Sequence, residues 1–318
     1  MAAAAAEPSI AQRCCTHMRR EGSRCLPSTC LIELAGGRAN HVRDLVGRPF
    51  TMSNAESVPE GFRPVKRVSM PAGELVKVRT LMGYEITCTE NHMLACVGGT
   101  SLRARDLAPD LNDVLLSSRA LYDDTSPYTP MEFEAGKSIG RTLGSGYILP
   151  EESNEYIDTA GLWKAVGICK GLREHSVDSG SDLLVFPTFT LKSTVRSIHR
   201  LLARLGVSSA LRTDEHDGIF DTEARSTIAP MPMHARLFDI VTCPRLAAQD
   251  SVMEALMCLG PRVQPYLSTF RDTVESISFV HDAEGADSST GDVQVYDISC
   301  PGQTSPHTII ADGFLTHS

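Results

Sequence analysis

The stretch ELVKVRTLMGYEITC, residues 74–88, contains two short segments in which apolar and polar side chains alternate. Because successive side chains of a β-strand point to opposite faces of the sheet, this alternation predicts half-buried strands over 74–80 and 84–88. Similar short segments lie on both sides of this stretch, at 30–34, 65–69, 276–280, 293–299, 307–310 and 313–317. The predicted strands therefore occupy both ends of the chain, and the predicted fold class is mainly β.

The middle of the chain has a different pattern, with helical spacing of apolar residues at 131–145, 157–170 and 191–206. The last segment has an apolar stripe made of Val195, Ile198, Leu201, Leu202 and Leu205. Its opposite side carries four basic residues spaced four apart, here named the basic stripe: Lys192, Arg196, Arg200 and Arg204. We divide the chain into a tail at 1–24, a first β half at 25–118, an α/β insert at 119–264 and a second β half at 265–318.

Length and composition narrow the class of protein. A chain of 318 residues is more than one hydrophobic core usually serves, which favours two domains or one domain carrying an insertion. The sequence contains no run of eighteen apolar residues, and its first residues have too short an apolar stretch for a signal peptide. We therefore expect an intracellular protein with no membrane partner.

The net charge and the cysteine spacing argue against two further classes, proteins that bind nucleic acid or anionic lipid and proteins with a structural zinc site. The net charge is −9, which argues against a standing affinity for nucleic acid or anionic lipid. The chain has ten cysteines, but no pair has C-x-x-C spacing and none is followed by closely spaced histidines, so a structural zinc site is not expected. Most of these cysteines are predicted to be small buried apolar residues.

A thiol, a hydroxyl, an acid and three imidazoles lie beside the predicted strands of the two β halves: Cys25, Thr89, His92, Asp297, His307 and His317. Cysteine is the most nucleophilic side chain near neutral pH, and a neighbouring histidine can take its proton or protonate a leaving nitrogen. If the two halves fold as one unit, these groups suffice for acyl transfer. Each residue alone is more often structural than catalytic.

The order of three sequence blocks resembles a known family. The first block is CLPSTCLIELAGGRANHVRDLVG at 25–47, the second is GYEITCTENHMLAC at 83–96, and the third is VQVYDISCPGQTSPHTIIADGFLTHS at 293–318. They resemble, in this order, the splicing blocks of the Hint superfamily, which comprises inteins, bacterial intein-like domains and Hedgehog autoprocessing domains. The resemblance implies an all-β horseshoe whose two chain ends meet at one active site.

The resemblance also implies roles for particular residues. Cys25 would attack the carbonyl of Arg24, His92 would protonate the departing nitrogen, and Thr89 would act on the scissile amide, with Asn91 on a matching position of the same block. Asp297 matches an acid that helps release the thioester, and His307 and His317 match imidazoles that assist cyclisation of a terminal asparagine. Splicing of this kind needs no cofactor, and its partners are the chain's own flanking segments. We expect the chain to be a monomer and to share the compartment of its host protein.

The last position departs from the family pattern, because Ser318 stands where inteins have asparagine. Serine has no side-chain amide for cyclisation. An engineered replacement, a natural variant that cleaves only at its N-terminal junction, and a trimmed gene fragment all account for this. We predict thioester formation and thiol-induced release of 1–24 without ligation. A Hedgehog-like domain that passes its thioester to an external nucleophile and a cysteine hydrolase acting on other proteins are the alternatives.

In inteins, an insertion at this place is commonly a LAGLIDADG homing endonuclease, whose paired helices bring carboxylates to metal ions. The segment IGRTLGSG at 139–146 resembles such a helix, but Ser145 occupies the acidic position, and the suitably placed VMEALMCLG at 252–260 also lacks an acid. Two ordinary amphipathic core helices explain both segments equally well.

The charges of the insert bear on whether it binds DNA. The basic stripe could follow a DNA backbone or be a solvated helix face, and the insert has 15 basic residues against 19 acidic ones. We predict a degenerate endonuclease domain without nuclease activity. An active endonuclease that uses Mg²⁺ and binds double-stranded DNA is the alternative.

Overall fold

The computed structural model describes residues 24–35, 38–47, 50, 63–71, 74–117, 128–145, 153–175, 183–186, 191–213, 226–232, 235–242, 269–280, 292–299 and 308–317. Strands before the insert are β1 (Leu26–Pro27), β2 (Leu31–Glu33), β3 (Ala39–His41), β4 (Arg63–Pro71), β5 (Leu75–Thr80), β6 (Glu85–Thr89), β7 (Met93–Ala95), β8 (Ser101–Arg103) and β9 (Asp113–Ser117). Strands after it are β13 (Thr269–Phe279), β14 (Asp292–Ser299), β15 (Thr308–Ala311) and β16 (Phe314–His317). We call β1–β9 and β13–β16 together the β unit.

Strands from the two ends of the chain pair with each other in antiparallel sheets. One sheet has the order β1-β14-β4, and a ten-stranded sheet has the order β3-β2-β15-β16-β9-β13-β5-β6, with β7 joined to β16 and β8. The alternating stretch at 74–88 forms β5 and β6, which pair from Leu75 with Thr89 to Arg79 with Glu85. The prediction of a mainly β protein is confirmed, and the domain boundaries stay a prediction.

The β unit encloses one large core in which three of the cysteines act as apolar filling. Cys30, Cys88 and Cys96 are buried there among aliphatic and aromatic side chains of strands from both ends of the chain. Burial raises the pKa of the Cys88 thiol well above its ordinary value, so this thiol stays protonated. Cys300 lies outside the described residues.

The insert has a separate core built from helices and a small sheet. Its helices are α1 (Pro130–Gly144), α2 (Ser153–Asp158), α3 (Leu162–His175), α4 (Lys192–Arg204) and α5 (Ala235–Thr242), and its strands are β10 (Leu184–Phe186), β11 (Ser209–Thr213) and β12 (Ser226–Pro230), in the order β10-β12-β11. The single helix predicted over 157–170 is wrong, since the chain turns between α2 and α3. Arg204 donates hydrogen bonds to the carbonyls of Asp158 and Ala160 at this break, which replace helical bonds there.

Helices α1 and α3 run parallel and pack backbone to backbone through glycines. A Cβ added to Gly136 or Gly140 of α1 would lie 2.1 Å from the carbonyl oxygen of Lys164 or Ile168 of α3. The relation is reciprocal, because a Cβ on Gly167 or Gly171 of α3 would lie 2.2 Å from a carbonyl oxygen of α1. Such an approach is possible only for residues without a side chain.

Helix α4 is covered on both sides, which corrects the interpretation of its basic stripe. The apolar side joins the core of the insert, and the basic side faces the β unit. Arg204 is 2% exposed and bound to protein carbonyls, and Arg200 pairs with Asp158 and Asp312. The prediction of a DNA contact is therefore wrong for Arg204, a buried guanidinium that cannot reach a phosphate, and it stays a prediction for Lys192, Arg196 and Arg200. Arg196 pairs with Glu85.

In the part of the chain that the structure describes, none of the helices combines the length and the apolar character needed to cross a membrane.

Candidate functional site

Thr89 holds the backbone of Cys25 from two directions. The Cys25 N–H donates to Thr89 Oγ1 at 2.9 Å, and the Thr89 N–H donates to the Cys25 carbonyl at 3.0 Å. The Thr89 hydroxyl donates to the same carbonyl at 3.3 Å. Thr89 is the last residue of β6, and Cys25 directly precedes β1, so the sheets fix both partners. The amide that joins Arg24 to Cys25 is thereby held by a buried hydroxyl.

The imidazole of His92 is buried near the same amide. Within the described residues, neither ring nitrogen makes a hydrogen bond of standard length and angle, although the Arg24 backbone is close enough to influence the ring. Burial lowers the pKa of His92 to about 4; the Arg24 backbone opposes this, and the charges of Arg24 and His317 add to it. His92 is therefore neutral at pH 7 and available to accept a proton.

His317 reaches the site from the other end of the chain. It is the last residue of β16, where it pairs with Met93 of β7 and with Thr308 of β15. Its Nδ1 lies 3.4 Å from the Thr308 hydroxyl. Because Met93 follows His92 directly, β16 brings His317 close to the buried imidazole. That these two histidines act in one site stays a prediction.

Asp297 lies on β14, next to the strand that follows Cys25. The pairs Leu26 with Tyr296 and Pro27 with Val295 define the register of β1 on β14. One further residue along this register places Asp297 opposite Cys25, and residues directly opposite share a face of the sheet. Cys25 itself is 0% exposed and packs against apolar residues of this sheet and of β5.

Of the remaining residues predicted for this site, Asn91 is the one that the structure describes, and its side chain binds Glu90. The Asn91 side-chain amide donates to Glu90 at 3.3 Å, and Glu90 also pairs with Arg105. His307 and Ser318 lie outside the described residues, so their roles stay predictions.

The end of α1 offers no carboxylate for a metal ion. The Ser145 hydroxyl donates to the Arg141 carbonyl at 2.7 Å and so closes the helix end. Among the described residues, no group of three or more histidine, cysteine, aspartate and glutamate side chains could hold a metal ion. The residues present at Ser145 do not fit a Mg²⁺ site. The segment 252–260, which the sequence analysis considered as the second helix of this kind, lies outside the described residues. In the described part of the insert, α3 packs on α1.

The sequence analysis did not identify two buried carboxyl groups that join separate parts of the chain, those of Asp312 and Glu33. Asp312 forms the turn between β15 and β16, and it binds Leu31, Arg200 and the Cys30 thiol. Glu33 is 2% exposed and accepts a hydrogen bond from Ser117 at 3.1 Å. The Asp-Gly pair at 312–313 is a turn signal that identifies the hairpin. No local sequence pattern predicts the contact between Asp312 and α4.

No family model matches the chain, and no curated protein matches it. Among solved structures, a variant of the Ssp DnaB mini-intein aligns over 92% of this chain and 92% of that chain, with 11% identity and a TM-score of 0.36. A mutant of the same variant aligns over 92% and 98%, with 10% identity and a TM-score of 0.35. A DnaB intein from Synechocystis sp. PCC 6803 aligns over 29% and 68%, with 22% identity and a TM-score of 0.24. These sequence identities and TM-scores are too low to assign roles to residues. The candidate site is therefore defined by the geometry around Cys25.

Proposed function

We propose that the chain processes itself by an N-to-S acyl shift at Cys25, in the manner of an intein. The observation that carries this proposal is the geometry of the Arg24–Cys25 amide. Its N–H is held by the Thr89 hydroxyl at 2.9 Å, and a neutral, buried His92 lies near the Arg24 backbone. A nucleophile, a group that orients the amide and a proton acceptor therefore converge on one peptide bond.

The reaction requires one proton to move through His92. The Cys25 thiol gives its proton to the neutral imidazole as Sγ attacks the Arg24 carbonyl carbon. A carbon–sulfur bond forms, the carbon–nitrogen bond breaks, and His92 returns the proton to the leaving nitrogen of Cys25. The Thr89 hydroxyl keeps this nitrogen in place throughout. The product is a thioester between Arg24 and Cys25 with a free amine on Cys25.

The later steps follow from the residues at the other chain end. Asp297 is proposed to assist release of the thioester, and His307 and His317 occupy the positions of the imidazoles that assist cyclisation of a terminal asparagine in inteins. Ser318 has a hydroxyl and no side-chain amide, so it cannot cyclise as asparagine does. An external thiol then attacks the thioester carbonyl, the Cys25 thiolate leaves, and residues 1–24 are released without ligation.

Mass spectrometry of the purified chain in dithiothreitol tests this proposal. We expect release of 1–24 and a new N-terminus at Cys25, at a rate independent of protein concentration. Cys25→Ala abolishes release, whereas Cys169→Ala, which removes a buried free thiol of α3, leaves it unchanged. An intact wild-type chain after hours of incubation overturns the proposal, and a rate that rises with protein concentration indicates a hydrolase acting between molecules.

For the insert, we propose a degenerate endonuclease domain that does not cleave DNA. The resemblance of the segment 139–146 to the helix of that family supports the relationship, and the hydroxyl of Ser145 in the acidic position supports the loss of activity. Incubation with Mg²⁺ and a duplex that spans the host site without the inserted sequence should leave the DNA intact. Site-specific cleavage of that duplex contradicts the proposal.

A further inference from the structure

Helix α4 touches the β unit through its basic stripe at three successive turns. Arg196 donates to Glu85 at 2.9 Å, and Arg200 donates to Asp312 at 3.2 Å. Burial raises the pKa of Glu33 to about 7, and Arg204, on the next turn of the helix, is close enough for its charge to oppose this rise. Because residues four apart lie along one side of a helix, a single helix reaches three separate elements.

Each of these elements leads to a residue of the proposed processing site. Glu85 begins β6, and Thr89 ends it. Asp312 lies in the turn that begins β16, and His317 ends that strand. Glu33 ends β2, which follows β1 and Cys25 in the chain. Residues of the basic stripe therefore lie beside one end of three short segments. The other end of each segment carries a residue of the proposed processing site.

Asp312 joins the two chain ends to each other and to the insert. Its N–H donates to the Leu31 carbonyl at 2.8 Å, and its Oδ1 accepts the Leu31 N–H at 3.1 Å. The residue has a φ of 49°, which the tight turn with Gly313 requires. The same Oδ1 receives Arg200, so one carboxylate holds the first β half, the second β half and α4.

Arg200 also ties this junction to the body of the insert. Its Nη2 donates to both carboxylate oxygens of Asp158, the last residue of α2, at 3.0 Å each. Asp158 is 4% exposed, Asp312 is 8% exposed and the Arg200 side chain is 25% exposed, so the ion pairs are largely shielded from water. Shielded ion pairs with several hydrogen bonds are strongly oriented, and removing one partner leaves a buried charge.

Further contacts dock the insert on the β unit. The rings of Tyr84 and His199 stack with centroids 4.0 Å apart, and the Leu211 N–H donates to the Met82 carbonyl at 2.9 Å. Ala203 of α4 packs into the core of the β unit. The insert is thus attached by ring stacking, backbone hydrogen bonding and apolar packing as well as by charge.

We infer that Arg200 is a positioning residue for the processing reaction, and that the insert is a structural part of the processing site, because Arg200 binds Asp312, the residue that holds the β15–β16 hairpin on β2. This inference rests on the proposed function. Arg200 touches neither the scissile amide nor Cys25, and it acts through Asp312 on the strand that carries His317. A small displacement of reacting groups lowers a reaction rate strongly. Loss of the contact between Arg200 and Asp312 should therefore lower the rate of processing.

The test compares full-length variants in the thiol-induced release of 1–24, with each rate divided by the folded fraction from circular dichroism. We expect Arg200→Met to be about tenfold slower than wild type and Arg200→Lys, which keeps the charge, to recover part of that loss. Asp312→Asn should resemble Arg200→Met, and the double variant should be no slower than either single one, because both changes break the same contact. Arg141→Met is the matched control, since Arg141 is an exposed arginine that pairs with Glu174 inside the insert, and it should keep the wild-type rate.

The outcomes separate this inference from the proposed function. A wild-type chain that releases nothing contradicts the proposed function itself. A wild-type chain that releases 1–24 and an Arg200→Met variant that matches its rate per folded molecule overturn the inference alone. If Arg200→Met does not fold, Asp312→Asn decides by the same criterion, because it removes the charge with which Arg200 pairs on the β15–β16 hairpin. A wild-type rate per folded molecule in Asp312→Asn overturns the inference.

Discussion

The Thr89 hydroxyl contacts both the N–H and the carbonyl of Cys25, accepting from the first at 2.9 Å and donating to the second at 3.3 Å. One side chain therefore fixes the orientation of the residue proposed to attack its own N-terminal amide. Because the pair is buried, water cannot replace the hydroxyl if it is removed. The contact therefore bears on the stability of the fold and, in the proposed reaction, on the rate of processing.

Replacing Thr89 by valine should damage stability and processing together. Valine has the same shape without the hydroxyl, so the buried Cys25 N–H loses its acceptor, at a cost of about 1–3 kcal/mol in the free energy of unfolding. The release of 1–24 should slow by about tenfold or more, because the scissile amide is no longer held. Thr89→Ser keeps the hydroxyl and should retain most of both properties. Urea unfolding and mass spectrometry measure the two effects, and equal rates for the valine and serine variants contradict the role of the hydroxyl.

The buried His92 should make the protein less stable in acid. Its pKa in the fold is about 4 against 6.5 for the free group, so the unfolded chain takes up the proton first. The stability associated with neutral His92 is present above pH 6.5 and is lost as the pH falls towards 4, with a limit of about 3 kcal/mol. The expected slope for this one proton is about 1.4 kcal/mol per pH unit.

His92→Gln measures this contribution. Urea unfolding at pH 7, 6 and 5 should show a shallower loss of stability in the variant than in wild type. Some loss remains, because burial also lowers the pKa of His199 to about 4. Identical slopes in the two proteins contradict burial of a neutral His92. The variant should also fail to release 1–24 at any of these pH values.

Local sequence patterns predicted most of the strands, and the family resemblance supplied the candidate site residues, whose roles stay predictions; neither predicted the contacts between the insert and the β unit. Alternation at 74–88 depends only on neighbouring side chains, so β5 and β6 could be predicted directly. The helix of the basic stripe could be predicted from its period, but the same pattern describes a solvated face and a face covered by carboxylates. Asp312 is 112 residues from Arg200 in the chain, and no local rule links them. The break between α2 and α3 was missed because Arg204, a distant residue, binds its carbonyls.

The buried carboxyl of Glu33 should lower stability as the pH rises. Burial raises its pKa from 4.5 to about 7, with the charge of Arg204 and the hydroxyl of Ser117 opposing the rise. The unfolded chain therefore releases its proton at a lower pH, and the stability present below pH 4.5 is lost as the pH rises through 7. Glu33→Gln keeps an acceptor for Ser117 and removes this titration.

The measurement is the difference in the free energy of unfolding between Glu33→Gln and wild type at pH 5 and at pH 8. Between pH 5 and pH 8, we expect the free energy of unfolding of the variant to rise relative to that of wild type by up to about 3 kcal/mol. Glu132→Gln, which changes an exposed carboxylate of α1, should show no such trend. A constant difference between Glu33→Gln and wild type contradicts the burial of a protonated Glu33.

The glycine contact between α1 and α3 should tolerate no added methyl group. In Gly140→Ala the new Cβ would lie 2.1 Å from the Ile168 carbonyl oxygen, which is backbone and cannot turn away. The helices must therefore separate, and overpacking of this kind costs about 1–3 kcal/mol or more, against the gain of less than about 1 kcal/mol that alanine brings in a free helix. Ser138→Ala, on the exposed side of α1, should be neutral or slightly stabilising. Urea unfolding of both variants decides the matter, and a Gly140→Ala variant as stable as Ser138→Ala contradicts the close approach of the two helices.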